Sequence, residues 1–110
     1  MKIEIRTRGL ELGPDDGERT RRRLRLAIGR FAEQVKRVSI TLEDLSDSQG
    51  ESGQRCRIRL SLRAGGEPIL AEGADRDLLT AAEGAAKRLG RSVALRLQDG
   101  RRPTRSSQIF

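Results

Sequence analysis

The chain has 110 residues, with 23 Lys plus Arg against 16 Asp plus Glu, a formal net charge of +7 and a pI near 11.1. It contains no His, Trp or Tyr and a single cysteine, which excludes Ser/His and Cys/His nucleophilic couples, an ordinary zinc site and any disulfide within the chain. What is left is one domain with a modest core and a pull toward polyanions.

Along the chain, Met1 to Arg8 alternates: Ile3 and Ile5 share one side, and Lys2, Glu4, Arg6 and Arg8 the other. That is the pattern of a half-buried strand. Leu10 and Leu12 are placed to tuck under the next element. Gly13-Pro14-Asp15-Asp16 supplies turn residues, acidic caps and a helix-compatible proline, so a helix is expected to start near Pro14 to Asp16. In it Thr20, Leu24, Ala27, Ile28, Phe31 and Val35 recur at three- and four-residue spacing as one apolar stripe. Arg19, Arg22, Arg23, Arg25 and Arg30 spread over the opposite half, with Arg21 beside the stripe. Six arginines less Glu18 crowd like charge that helix neighbours do little to relieve.

Arg37 to Asp44 predicts a second strand with Val38, Ile40 and Leu42 inward and Ser39, Thr41 and Glu43 outward. Leu45 to Gly53, LSDSQGESG, is polar, acidic and glycine-containing, a flexible hairpin loop. In the third strand Cys56, Ile58, Leu60 and Leu62 alternate with Arg55, Arg57, Arg59, Ser61 and Arg63, giving one wet, basic face. Ala64-Gly65-Gly66 is a tight turn. Pro68 to Glu72 forms a shorter fourth strand, placed at an edge because Pro68 has no amide hydrogen for a ladder.

A cap at or near Asp75 opens a second helix, from Arg76 to about Leu97. It turns Leu78, Ala82, Ala85, Ala86, Leu89, Val93 and Leu97 inward and Lys87, Arg88, Arg91 and Arg96 outward. Gly84 and Gly90 each cost roughly 1 kcal/mol relative to Ala in a helix interior, which fits close packing against the sheet or a fray near Gly90. Residues 99–110, DGRRPTRSSQIF, have no periodicity and form a basic, flexible tail, so residues 1–98 are the single domain. The order β-α-β-β-β-α predicts an α+β two-layer sandwich, a four-stranded sheet with two helices on one face. Its other face stays open, carrying Arg55, Arg57, Arg59 and Arg63 with Glu4 and Glu43 as cross-strand partners.

Three of the 23 basic residues are lysines, which leaves 20 arginines, the side chain whose planar fork meets phosphate oxygens two at a time. An arginine-rich genome produces the same bias, and a solvated face is the ordinary fate of a charge run. The same-sign second helix and tail favour phosphate binding by the first helix. For the third-strand arginines an RNA surface, edge protection and a dimer-facing sheet stay open. Two Phe as the only aromatics argue against binding by stacking of unpaired bases. Cys56 reads as a small core residue in a reducing setting. Asp77 and Glu83 lack a neighbouring base, so capping and surface charge outweigh acid/base work. No enzyme activity, metal, cofactor or small-molecule substrate is expected. No apolar run approaches the ~20 residues that span a bilayer, and MKIEIRTRG is no signal-peptide start. The chain is expected to be soluble and cytoplasmic, without a membrane partner.

The order of elements, with GRFAEQVKRVSITLEDLSD, QRCRIRLSL and DRDLLTAAEGAAKRLGRSV, resembles the ribosome-hibernation-promoting factor family, also called ribosome-associated inhibitor A or sigma-54 modulation protein. The resemblance covers about Met1 to Leu97 and is carried by the strand alternation, the Arg55-Cys56 pair and the pattern at Asp77, Leu78, Ala81 and Glu83. It implies a fold resembling a double-stranded RNA-binding domain with an extra first strand. It also implies a stress-response function: occupying the mRNA and tRNA channel of the small ribosomal subunit through rRNA contacts, and so blocking translation. The chain looks like a short-type member. By position the family's basic residues match Arg23, Arg88 and Arg91; Arg22, Arg25 and Lys87 lie on the same surfaces and complete the expected RNA-binding set. Leu79 replaces a frequent aromatic and Ala82 a large aliphatic, and Gly84 and Gly90 loosen the helix. The alternative function is a regulatory module that offers its exposed sheet face to another protein.

Overall fold

The computed structural model describes residues 1–45 and 53–101. Its elements are β1 (Lys2–Arg8), α1 (Asp16–Ile28), a 3-10 helix (Gly29–Gln34), β2 (Val35–Asp44), β3 (Gln54–Leu62), β4 (Ile69–Asp75) and α2 (Leu78–Arg101). Most of the expected hairpin loop and residues 102–110 of the expected tail lie outside the described residues.

The sheet order is β1-β2-β3-β4. β1 runs parallel to β2 across the α1 crossover, and β2–β3 and β3–β4 are antiparallel, so this is a mixed sheet in an α+β fold. Period-two alternation decides which side of it is dry. Val38, Ile40 and Leu42 stand opposite Leu60, Ile58 and Cys56 in register, and all six are buried. Leu24, Ile28 and Phe31 close over them from the first helical segment, and Ala81, Ala82, Ala85, Leu89 and Val93 from α2. Leu10 and Leu12 pack at the margin, as their placement before α1 predicts. Each fully buried Leu or Ile contributes roughly 1.5–3 kcal/mol, so this shared apolar layer holds both helices to one face of the sheet.

Element ends differ from expectation for local reasons. The apolar stripe predicts one helix through Val35, but α1 ends at Ile28 and a 3-10 helix carries the chain to Gln34. A 3-10 turn keeps residues three apart on one side, so Phe31 stays buried. Val35 then begins β2, two residues earlier than expected, with a register shift between Val35 and Arg37. β4 runs to Asp75, beyond the expected Glu72. Gly73 belongs to the strand because α2 crosses it closely: a Cβ there would sit 2.4 Å from the Ala81 carbonyl oxygen. α2 starts at Leu78, behind a cap formed by Asp77. The Asp77 carboxylate accepts the Thr80 amide at 2.9 Å and the Thr80 hydroxyl at 2.8 Å, and Asp75 accepts the Asp77 amide at 3.0 Å. At its other end α2 continues past Leu97 to Arg101, three residues into the expected tail.

Gly90 is the point where the two helices touch. Its missing Cβ would lie 2.8 Å from the Ala27 carbonyl oxygen, so the close packing involves α1 and not the sheet. Gly84 has open space around it, with nothing within 4 Å of a Cβ.

Candidate nucleic-acid interface

The outward side of α1 carries Arg22 and Arg25, both exposed and, among the described residues, without a carboxylate or hydrogen-bond partner. Arg23 has a different setting. It lies one turn before Ala27, on the flank of α1 that faces α2, and its Nη1 is ion-paired with Glu83 Oε2. Its Nε is buried without an acceptor. Lys87 follows Glu83 by one turn and brings Nζ to 3.9 Å from Oε1 of the same carboxylate. Arg88 points toward the β4 edge, where Nη1 donates to the Glu72 carbonyl oxygen at 2.5 Å. Arg96 donates likewise to the Glu67 carbonyl at 3.0 Å. Both contacts cover polar backbone near an edge strand. Arg91 is exposed and, among the described residues, unpaired.

Where the helical segments meet, a groove of about 350 Å³ is lined by Ala27, Arg30 and Phe31 on one side and Lys87, Gly90, Arg91 and Ala94 on the other. Three of these residues are cationic and none is acidic. Arg30 lies in the 3-10 helix, its guanidinium carbon 5.0 Å from the centre of the Phe31 ring, a cation–π contact that holds the group beside the groove. The expected site omits Arg30; its only signal in the sequence is membership of the same arginine run. The groove thus joins Lys87 and Arg91 of the expected set, with Arg30 added. Arg22 and Arg25 extend positive charge along α1, while Arg23 is held by Glu83.

On the open sheet face several arginines are matched. Arg55 meets Glu43 at 2.7 Å, in register across β2 and β3. Donation from Arg55 holds the Glu43 carboxyl below the ordinary carboxylate range against the opposing effect of desolvation, and Arg57 and Arg8 add attraction. Glu4 was expected to face the third strand; because β1 lies beside β2, it pairs with Arg37 at 3.6 Å instead. Arg57 meets Glu72 of β4, also at 3.6 Å.

Burial pushes the Cys56 thiol up to about 12, so it stays protonated and poorly nucleophilic at neutral pH. Asp77, the acid beside the α2 start, is held below its ordinary range by the Thr80 hydroxyl and amide that donate to it. Among the described residues no group of three or more His, Cys, Asp or Glu is placed to hold a metal ion, and no helix is long and apolar enough to cross a membrane.

No protein-family model matches the chain, and no curated protein does. Among solved structures the fold is similar to a ribosomal subunit interface protein from Coxiella burnetii, with a TM-score of 0.74 and 15% identity, covering 89% of this chain and 99% of that one. It is also similar to the N-terminal domain of Protein Y from Thermus thermophilus, with a TM-score of 0.66 and 22% identity, covering 84% and 96%. The expected four-stranded sheet with two helices is the fold observed, and it is shared with these structures.

Proposed function

We propose that the chain is a cytoplasmic, ribosome-associated translation inhibitor of the hibernation type. In this reading it binds rRNA of the small subunit in the mRNA and tRNA channel through the basic faces of α1 and α2. The observation that carries the proposal is the groove lined by Arg30, Lys87 and Arg91 with no acid among the lining residues, flanked by Arg22 and Arg25, which have no partner among the described residues. The likeness in fold to a ribosomal subunit interface protein supports it.

The mechanism is occlusion and requires no bond-making. Each guanidinium or ammonium that meets a phosphate releases a condensed counterion, which favours binding at low salt and weakens it as salt rises. Arginine suits the role because its forked donors fix orientation as well as charge. A domain packed on one apolar layer holds those donors in place, so bound protein excludes mRNA and tRNA sterically. The alternative, docking of another protein on the open sheet, has weaker support: Leu70 is the only large exposed apolar side chain of β4, and interface centres are ordinarily built on apolar or aromatic anchors.

Sedimentation of the purified chain with small ribosomal subunits, at low and at high salt, tests the proposal. The chain is expected to pellet with subunits at low salt and to be released at high salt, with cell-free translation inhibited in proportion to the bound fraction. Absence of binding at low salt contradicts it. Stable association with a polypeptide after RNase treatment supports the alternative.

A further inference from the structure

The open side of the sheet forms a concavity of about 1080 Å³ that the helix groove does not include. Six arginines line it: Arg6 of β1, Arg37 of β2, Arg57 and Arg59 of β3, and Arg88 and Arg91, which reach it from α2 around the β4 edge. Glu72 is the single acid in the lining. Its contact with Arg57 spans 3.6 Å between side chains that are 51% and 59% exposed, a solvent-screened pair that contributes little. Among the described residues Arg6, Arg59 and Arg91 have no carboxylate partner. Ser39, Thr41 and Ser61 supply hydroxyls between the guanidinium groups.

We infer that this concave face receives the sugar-phosphate backbone of a single RNA strand, continuous with RNA held in the helix groove. Charge selects an anion, and the lining selects which one. A polypeptide partner would need apolar anchors at the centre of its interface, yet Leu70 is the one large apolar side chain exposed there. A ligand read through its bases would need ring platforms, and none of the lining residues is aromatic. Regularly spaced arginines remain, with same-face neighbours along a strand about 7 Å apart and adjacent strands about 5 Å apart. Such an array suits successive phosphates. Arg91 lines both the groove and the concavity, so one strand can pass from α2 over the β4 edge onto the sheet. A flexible single strand makes that turn; a duplex, stiff over about 150 base pairs, does not. The inference shares the RNA ligand of the proposed function but not its ribosomal setting.

The test titrates the full chain with a short uridine oligonucleotide, following fluorescence anisotropy against salt and backbone amide shifts by NMR. Amides of β3 and β4 are expected to shift together with those of α2. The double substitution Arg57→Gln, Arg59→Gln is expected to weaken binding about tenfold at low salt and to flatten the log–log salt slope by about 1.4, two phosphates at roughly 0.7 each. Glu72→Gln, which removes the acid from the lining, is expected to tighten binding. Unchanged affinity of the double variant, with shifts confined to α1 and α2, overturns the inference and leaves the helix reading standing. Stronger binding of polyglutamate than of RNA of equal charge also overturns it. Shifts on β3 from a protein that fails to pellet with small subunits support the inference while contradicting the ribosomal proposal.

Discussion

Arg23 of α1 and Glu83 of α2 are ion-paired across the seam between the helices, and Lys87 approaches the other oxygen of the same carboxylate at 3.9 Å. One acid thus engages two members of the expected RNA-binding set. A phosphate that binds Arg23 or Lys87 must compete with it.

Replacing Glu83 with Gln is therefore expected to strengthen RNA and ribosome binding and to steepen the salt dependence by about 0.7–0.9 log units per phosphate gained. The Arg23 and Glu83 side chains are 37% and 43% exposed, so the loss of stability stays below about 1 kcal/mol. Filter binding across a salt series and thermal melting check both parts; weaker binding by Glu83→Gln would mean that the pair positions Arg23 for RNA and does not compete.

Two glycines of α2 make opposite predictions for the same substitution. Gly90→Ala places a Cβ 2.8 Å from the Ala27 carbonyl oxygen, forcing the helices apart at an expected cost of about 1–3 kcal/mol. Gly84→Ala meets open space and gains helix propensity, an expected stabilisation of about 0.5–1 kcal/mol. Urea unfolding of the two variants gives the comparison directly.

Cys56 is fully buried and its thiol is pushed up to about 12 from 9.0. A raised pKa means that the folded state disfavours the thiolate. The resulting stability is present below pH 9 and is lost as pH rises from 9 toward 12. Thiol reagents at pH 8 are expected to label the native protein only through unfolding, and the urea-unfolded chain rapidly.

At the acid end, Asp77 acts in the other direction. The Thr80 donors hold its carboxyl below the ordinary range, so its contribution is present above the unfolded carboxylate value near 4 and is lost as pH falls below it. Asp77→Asn keeps a capping oxygen but removes the titration. Its melting temperature is expected to fall less steeply with acid than that of the wild type, as calorimetry across pH 2 to 5 would record.

Strand placement was the most legible part of the fold, because alternation such as that from Arg55 to Leu62 reports a dry and a wet side directly. Order within the sheet was not legible: alternation in β1 says nothing about its neighbour, which is why Glu4 was matched to the wrong strand. The end of α1 was hidden because Leu24, Ile28, Phe31 and Val35 keep helical spacing even where the backbone has become a 3-10 helix and then a strand. Gly73 lies just past the fourth strand that the sequence predicts, and Gly90 fits close packing on the sheet or a fray; that each faces a neighbouring backbone, at Ala81 and at Ala27 of α1, becomes visible only once α2 is packed. For the interface, the sequence placed Lys87 and Arg91 on one exposed helix face. It could not show that Glu83 occupies Arg23, nor that Arg30 turns toward the same groove, since both depend on how the helices meet.

If the cations beside the α1–α2 groove hold rRNA, reversing them must cost more affinity than the same change in net charge made elsewhere on the chain. The measurement is the small-subunit affinity of Lys87→Glu, Arg91→Glu against that of Arg63→Glu, Arg76→Glu, two variants with the same change in charge. Arg63 and Arg76 are exposed and lie outside the groove lining. The groove variant is expected to bind at least about tenfold more weakly than the control at low salt. Equal losses in the two variants, or a groove variant that pellets like wild type, would contradict the account.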